Sequence, residues 1–407
     1  MKKTAYIVSA AAFLFGLTAC EQKTEPEIIT PTSGINTNPA WSTYIQGTGT
    51  VNEIRDEAYY QSLRAWKEAA FDENGLATRS VSYIFFADYG SMAFRFADIP
   101  DSVDIINLWG GVPKFGSLDY LEMKACQEVK GMKLVGCRIT RILENAKWGM
   151  EAEIPSYMKA YEQYKNDNMG NVVLGKKTEQ EVESAAKEAA NAALRADIAA
   201  HQSKNEDGSY PEWVVYGAQV ILNEIREYGL DGYDLDYEPE GDPLSGAAFN
   251  MFVDYLSQFI GPKSGNKGTL LIVDRNAGYG GYQNLAPYCN FWIYQKYGSL
   301  GGASPASQGD FPTNTDPANG WVASQIIVTE NVGDMYGAAC GVLEQMAGFQ
   351  PSTVGQKYGH KGGFASFHGQ RDWRLEAEGA EAGKRYRYQH HRRGIQAQAE
   401  VEYYKGE

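Results

Sequence analysis

Eight short apolar runs, separated by longer connections, are the feature of this 407-residue chain that most limits its possible folds. Each run has the length and the β-branched and aromatic content of a buried strand. The runs cover residues 81–90, 101–110, 131–139, 230–238, 269–276, 289–298, 324–333 and 362–372. Their alternation with helix-length connections predicts an α/β fold, and the count of eight favours a (β/α)8 TIM barrel. A doubly wound sheet would give the same alternation.

Helical periodicity supports this reading at residues 57–71, 211–230 and 246–261. Gly229 can end the second of these helices directly before the fourth predicted strand. The connection over residues 140–210 is too long for one crossover. Its Ala- and Glu-rich part, Lys176 to Gln202, predicts an exposed helical insertion between strands 3 and 4.

The amino terminus has the pattern of a bacterial lipoprotein signal. Lys2 and Lys3 precede an apolar run over residues 5–17, which is too short to span a bilayer, and the run ends in Leu-Thr-Ala-Cys. We therefore expect residues 1–19 to be a signal peptide, Cys20 to be lipidated, and residues 20–45 to form a flexible tether. Residues 46–407 would be the folded domain, held at the cell envelope on the outer-membrane surface of a Gram-negative bacterium.

Composition narrows the partners further. The formal net charge of −14 disfavours nucleic acid, since phosphate binding needs clustered Lys and Arg. The five cysteines and five histidines lack the spacing of metal ligands, so we predict no metal and no cofactor. A disulfide between Cys126 and Cys137 and free thiols are both compatible with their spacing. We expect a monomer.

The fourth run, LDGYDLDYEPEGD, concentrates carboxylates in an apolar strand. Strand alternation puts Asp234, Asp236 and Glu238 on one face, whereas Asp231 is out of phase and belongs to the entry of the strand. Three buried acids this close cannot all ionise cheaply, so they must share protons or find donors. Proton sharing would let Glu238 stay protonated as a general acid. A calcium loop is disfavoured, because Pro239 takes the position of its required glycine.

DGYDLDYE resembles the D-x-x-D-x-D-x-E signature of glycoside hydrolase family 18, with all four acids present at Asp231, Asp234, Asp236 and Glu238. The resemblance spans residues 80–400, weakly outside the motif. It implies a (β/α)8 barrel that hydrolyses β-1,4 bonds after N-acetylglucosamine, with the sugar's own acetamido group as nucleophile. By the same resemblance, Glu238 would be the general acid and base, Asp236 would orient the acetamido group, and Asp234 would tune Asp236.

Gln295 and Tyr297 match the family's x-x-Tyr on strand six, which implies that Tyr297 contacts the acetamido oxygen and that Gln295 lines the cleft. This Gln-x-Tyr form is similar to endo-β-N-acetylglucosaminidases that cut the chitobiose core of N-glycans, whereas chitinases usually carry Met-x-Tyr-Asp. Phe367 stands near the place of the Trp that floors the chitinase site. The anchor and tether also resemble those of glycan-foraging surface lipoproteins of the Bacteroidetes.

Strand ends supply the remaining candidates, because TIM-barrel sites are built there. The residues predicted to bind substrate are Gln295, Asp231, Trp109, Asn107, Asp88 and Trp373. The substrate implied is an N-glycan or glycoprotein. Two alternatives stay open: a chitinase acting on chitin oligomers, and a glycan-binding protein that has lost catalysis on the same barrel.

Overall fold

The fold is a closed barrel of eight parallel strands, seen in a computed structural model that describes residues 55–89, 94–140, 154–297, 306–333, 338–352, 359–374 and 388–405. The strands are β1 (Val81–Phe85), β2 (Ile105–Leu108), β3 (Lys133–Ile139), β4 (Gly232–Asp236), β5 (Leu270–Arg275), β6 (Phe291–Gln295), β7 (Ile326–Asn331) and β8 (Gly363–Phe367). Each lies within one predicted run. Because β1 pairs with both β2 and β8, the ring is closed, which confirms the TIM barrel over the doubly wound sheet.

Helices connect the strands on the outside of the ring. They are α1 (Glu57–Glu68), α2 (Leu118–Glu128), α3 (Pro155–Val173), α4 (Glu179–Ala200), α5 (Glu212–Tyr228), α6 (Ala247–Leu256), α7 (Ala338–Gly348) and α8 (Gln389–Lys405). Among the described residues between β5 and β7, the helices on either side of β6 are short 3-10 helices. The predicted signal peptide, Cys20 and the tether lie outside the described residues.

The step from α5 to β4 follows from local sequence. Gly229 caps α5 in the left-handed conformation, with φ of 60°, and its backbone N–H bonds the Ile225 carbonyl. Glycine adopts this conformation without a Cβ penalty, so the helix ends there as predicted. The chain then turns into β4 within three residues.

The predicted insertion between β3 and β4 is a helical hairpin made of α3 and α4. Helix α4 begins with a capping box between Thr178 and Glu181, and its buried residues recur at every fourth position: Val182, Ala186, Ala190, Leu194 and Ile198. This stripe supplies one face for packing, while the opposite face is solvated. Ala190, Leu194 and Ile198 join Trp213 of α5 in one apolar cluster, which attaches the hairpin to the barrel.

Alternate strand residues build two cores. Val135, Leu270, Ile272 and other residues in phase with them fill the barrel interior. Their neighbours along the strands, such as Leu235 and Val273, pack outward against the helices. Side chains in phase with Gly232 therefore point into the barrel, and this phase holds Asp234 and Asp236.

Two further observations bear on the sequence predictions. Cys126, Cys137 and Cys289 are free thiols, so a disulfide between the first two is not formed. No helix in the described part of the chain has the length and apolar content needed to span a bilayer.

The absence of a side chain at Gly232 allows the backbone of β4 to lie close to Leu270 of β5. A Cβ at Gly232 would lie 2.6 Å from the Leu270 carbonyl oxygen, whereas one at Gly268 would meet nothing within 4 Å. We predict that Gly232→Ala lowers the free energy of unfolding by about 1–3 kcal/mol, as overpacking does. Denaturant unfolding, with Gly268→Ala as the matched control, measures this. Equal stability of the two variants would contradict the prediction.

Candidate active site

The acidic residues of β4 lie at the carboxyl end of the barrel, where the strand leaves the interior. Asp234 and Asp236 are buried, at 0% and 3% exposed, and Glu238, two residues further on, is partly exposed. Backbone pairing continues one residue past β4, since the Tyr237 N–H donates to the Asp274 carbonyl at 2.7 Å. The three acids therefore follow one regular backbone, from the barrel centre to its mouth.

Tyr237 fixes this backbone from the outside. Its ring stacks on Phe249 of α6 with centroids 3.7 Å apart, and its hydroxyl bonds the Tyr282 hydroxyl at 2.9 Å. The Gly246 N–H also donates to that hydroxyl, at 3.2 Å. These contacts fix the Tyr237 side chain toward the helix layer. Because side chains alternate along a strand, Asp236 and Glu238 on either side of it both point to the opposite face.

Asp234 lies at the inner end of the cluster and receives two hydrogen bonds on one oxygen. The Tyr83 hydroxyl donates to its Oδ2 at 2.6 Å and the Asn107 Nδ2 donates to the same atom at 2.7 Å. Burial raises the pKa of Asp234 to about 7, although the two hydrogen bonds act to lower it. Burial thus disfavours the ionised form of Asp234, and the hydrogen bonds from Tyr83 and Asn107 stabilise that form.

Asp236 is the middle member. The Gln295 Nε2 donates to its Oδ1 at 3.1 Å. Burial, followed by the neighbouring charges of Asp234 and Glu238, holds the pKa of Asp236 well above its usual range. The prediction was that proton sharing keeps Glu238 protonated; the carboxyl groups that burial makes hold protons more tightly are Asp234 and Asp236, and Asp236 is the one next to the open end.

Asp274 is a fourth acid that our sequence analysis missed. It is the Cα partner of Asp236 on β5 and is 1% exposed. Burial, with the charges of Asp234 and Asp236, raises its pKa well above the usual range. Strand phase could have placed it on the interior face, because Ile272 in the same run is an interior residue and Asp274 follows it by two, but its pairing with Asp236 is not contained in that spacing.

Aromatic rings form one wall at the same end of the barrel. Tyr297 stacks on Phe367 with centroids 5.3 Å apart and planes 15° apart, and Trp109 meets Phe367 edge-on at 5.4 Å. Burial, followed by Asp274 and Asp236, raises the pKa of Tyr297 well above its usual range. Tyr297 therefore remains a phenol that can donate a hydrogen bond, and it faces the acids. Apolar ring surface beside polar groups is typical of sites that bind sugars and other small ligands.

The structure brings most of the predicted residues together: Asp234, Asp236, Glu238, Gln295, Tyr297 and, through Phe367, Trp109. Asn107 is 0% exposed, and its amide donates to Asp234 and Tyr83, so it supports the cluster from below instead of contacting substrate. Asp88 is exposed, with φ of 54°, and accepts from Gln370 at 3.1 Å. Trp373 lies on a 3-10 helix after β8, and its side chain does not belong to the described part of the structure.

Asp231 is a correction. It precedes β4 at the amino-terminal end of the barrel, where its Oδ2 accepts from Gln127 Nε2 at 2.6 Å and from the Leu134 N–H at 2.9 Å. The expectation that it begins the strand is right, whereas its assignment to substrate binding is wrong. Its carboxylate ties β4 to α2 and β3 on the side of the barrel away from Glu238.

The chemistry available here is proton transfer. Within the described residues, no group of three or more His, Cys, Asp or Glu side chains is arranged to hold a metal ion. The ion pairs formed between described residues do not include Asp234, Asp236 or Asp274. A cluster of carboxyl groups that is not neutralised by these ion pairs, and that reaches the mouth of the barrel, can donate, accept and relay protons.

The raised pKa of Asp234 predicts how stability varies with pH. A carboxyl that binds its proton more tightly when folded stabilises the fold below its unfolded pKa and loses that contribution as pH rises to about 7. Asp234→Asn should therefore weaken the fall in unfolding free energy between pH about 4 and about 7, by on the order of a few kcal/mol. Denaturant unfolding over this pH range tests it, with Glu240→Gln on the exposed loop as control. An unchanged slope in Asp234→Asn would contradict it.

Comparison with known proteins agrees with this geometry. Residues 188–314 match the family model described as the endo-beta-N-acetylglucosaminidase EndoS TIM-barrel domain, and this stretch contains β4, β5, β6 and the acidic cluster. An endo-beta-N-acetylglucosaminidase of Bifidobacterium longum subsp. infantis is 29% identical over 113 residues, which are 27% of this chain and 21% of that protein. The match thus spans about a fifth of the length of that curated relative.

Two solved structures share the fold at low sequence identity. The structure titled BT1044 has a TM-score of 0.53 at 16% identity, covering 85% of this chain and 93% of that one. The endo-beta-N-acetylglucosaminidase of Cordyceps militaris in apo form has a TM-score of 0.50 at 18% identity, covering 85% and 97%. The chain is therefore a TIM barrel whose site-bearing segment is similar to endo-β-N-acetylglucosaminidase barrels.

Proposed function

We propose that this chain is an endo-β-N-acetylglucosaminidase that hydrolyses the β-1,4 bond of the chitobiose core of N-glycans. One observation carries the proposal: Asp234, Asp236 and Glu238 run in one phase to the mouth of the barrel, and the Gln295 amide bonds Asp236 there. The matched family model and the Bifidobacterium relative, both of endo-β-N-acetylglucosaminidases, support this reading.

The first chemical step breaks the bond between the anomeric carbon and the glycosidic oxygen. Glu238, which is partly exposed at the mouth, donates its proton to the leaving oxygen. The acetamido oxygen of the same sugar attacks the anomeric carbon and forms an oxazolinium ion. Asp236 accepts a hydrogen bond from the acetamido N–H, and its ionised form balances the positive charge that develops.

The second step returns the enzyme to its starting state. Glu238, now ionised, takes a proton from water, and the oxygen of that water attacks the anomeric carbon and opens the oxazolinium ring. Two successive displacements at one carbon retain its configuration. In this mechanism Tyr297 donates to the acetamido oxygen, and the stacking of its ring on Phe367 supports this role by holding the ring in the aromatic wall.

The preference for N-glycans over chitin rests on two features of the cleft. Strand β6 ends in Gln295 and Tyr297 follows two residues later, and the end of β8 carries Phe367, in contact with Trp109, instead of a tryptophan of its own. A chitin-cleaving enzyme remains the other outcome of the assay that follows.

Purified protein incubated with an N-glycosylated protein and, separately, with chitin oligomers tests the function. We expect release of the glycan with one N-acetylglucosamine left on asparagine, detected by mass. Cleavage of chitin alone would replace the proposal with a chitinase. Binding without release, equal in wild type and Glu238→Gln, would replace it with a glycan-binding protein. Glu240→Gln, an exposed acid two residues further along, is the matched control and should keep wild-type turnover.

Asp236→Asn separates substrate assistance from simple acid catalysis. The variant keeps the shape and a contact to Gln295 but cannot provide a negative charge. We expect turnover to fall by about 10²-fold or more, equivalent to about 3 kcal/mol of transition-state stabilisation. Turnover close to that of wild type would contradict the role of Asp236.

We also propose that Cys20 carries a lipid that holds the enzyme at the cell envelope. The support is the sequence pattern alone: two lysines, an apolar run and Leu-Thr-Ala-Cys. On cell fractionation and detergent phase partitioning, the wild type should enter the detergent phase and Cys20→Ala the aqueous phase. Equal partitioning of the two proteins would contradict the anchor.

A further inference from the structure

Asp274 lies beside the proposed catalytic acids and has no role in the mechanism above. Its strand position faces the barrel interior, since Leu270 and Ile272 in the same phase belong to the interior core. It is the direct cross-strand partner of Asp236. Side chains at such positions on one face are about 5 Å apart. Arg275, the next residue, faces outward over the rings of Tyr237 and Tyr282 and does not neutralise it.

The ion pairs formed between described residues do not include Asp274. From β4 it faces Asp234 and Asp236, from β6 and the residues after it Gln295 and Tyr297, and from β3 Cys137. The Gln295 amide and the backbone N–H of Arg275 are the hydrogen-bond donors that act on its carboxyl group. Its Oδ1 is buried and has no hydrogen-bond partner among the described residues. Two adjacent carboxyl groups in this setting are best satisfied by sharing one proton.

The donors are distributed unequally between the two neighbours of Asp236. Asp234 has two strong donors on one oxygen, the Tyr83 hydroxyl and the Asn107 amide, and both favour its ionised form. Asp274 shares the Gln295 amide with Asp236, and its other donor is the neutral backbone N–H of Arg275. A negative charge in the cluster is therefore best stabilised on Asp234, and the proton that Asp236 and Asp274 share is the one that can move between them.

We propose that Asp274 is a positioning residue for the hydrolysis, which takes up the proton of Asp236 when the acetamido group becomes charged. The inference rests on the proposed function. In this step the O–H bond of Asp236 breaks and an O–H bond forms on Asp274, so Asp236 becomes a carboxylate and Asp274 a carboxylic acid. The transfer reverses when water opens the oxazolinium ring. Asp236 can thus supply its charge without releasing a proton to solvent.

The pH dependence of turnover in Asp274→Asn tests this role. Asparagine keeps the size of the side chain but cannot exchange a proton, and it removes one carboxyl from the cluster. A cluster with one negative charge fewer releases its remaining protons at lower pH. We expect kcat to fall roughly tenfold, KM to stay within about twofold, and the alkaline limb of the kcat profile to move to lower pH.

The control is Asp372→Asn. Asp372 is also 1% exposed, but it accepts from the His391 N–H and lies on the 3-10 helix after β8, outside the barrel interior. This variant should keep the midpoints of the wild-type profile. Asp274→Ser, which is smaller and also cannot titrate in this range, is the second variant if the asparagine does not accumulate as folded protein.

The outcomes are distinguishable. An active wild type whose kcat profile keeps its alkaline limb in Asp274→Asn or Asp274→Ser would overturn this inference and leave the proposed function standing. A wild type that releases no sugar from any N-acetylglucosamine substrate would overturn both. A shifted limb in the Asp274 variants, with an unshifted one in Asp372→Asn, supports the role of Asp274.

Discussion

The burial of several carboxyl groups inside one barrel, with no cation paired to them among the described residues, is the constraint on which the rest of the site depends. Asp234, Asp236 and Asp274 are almost fully inaccessible to water. Isolated charges in such a place would cost several kcal/mol each. The cluster therefore keeps protons at pH values where exposed carboxyl groups have lost theirs, and it places its charge where donors exist. Those donors are Tyr83, Asn107 and Gln295.

The barrel makes this arrangement possible because each acid comes from a fixed position on a strand. Closure of the ring leaves no free edge, so the registers of β4, β5 and β6 cannot slip independently. Tyr237 holds the end of β4 from the helix layer, through Phe249 and Tyr282. Preorganisation of this kind is what an electrostatic mechanism needs, since the groups do not have to reorient as charge develops.

Much of this could be predicted from the chain alone, and the exceptions have a physical cause. The apolar runs determine the strands, and alternation within β4 puts Asp234 and Asp236 on one face. Asp274 was missed because its closeness to Asp236 depends on pairing between strands separated by more than thirty residues. Spacing along one strand does not contain that register.

The predictions for Asp231 and Asn107 were wrong because both residues lie near strand ends. Asp231 and Glu238 flank β4 on opposite sides, and only the direction of the strand shows that Asp231 is at the amino-terminal rim and Glu238 at the mouth. Asn107 was expected to meet substrate because it lies near a strand end, yet β2 is short and the residue lies one level below the mouth, bonded to Asp234. The depth of a residue within the barrel depends on the stagger of all eight strands, and a sequence pattern within one strand does not contain that information.

In the proposed mechanism the acidic cluster works with the substrate's own acetamido group as nucleophile. Turnover of synthetic chitobiose-core substrates, in which the reacting N-acetyl group carries none, one, two or three fluorine atoms, measures this most directly. Fluorine makes the acetamido oxygen a poorer nucleophile, so we expect a steep fall in kcat with each added fluorine. A kcat that is unchanged along the series would contradict substrate assistance.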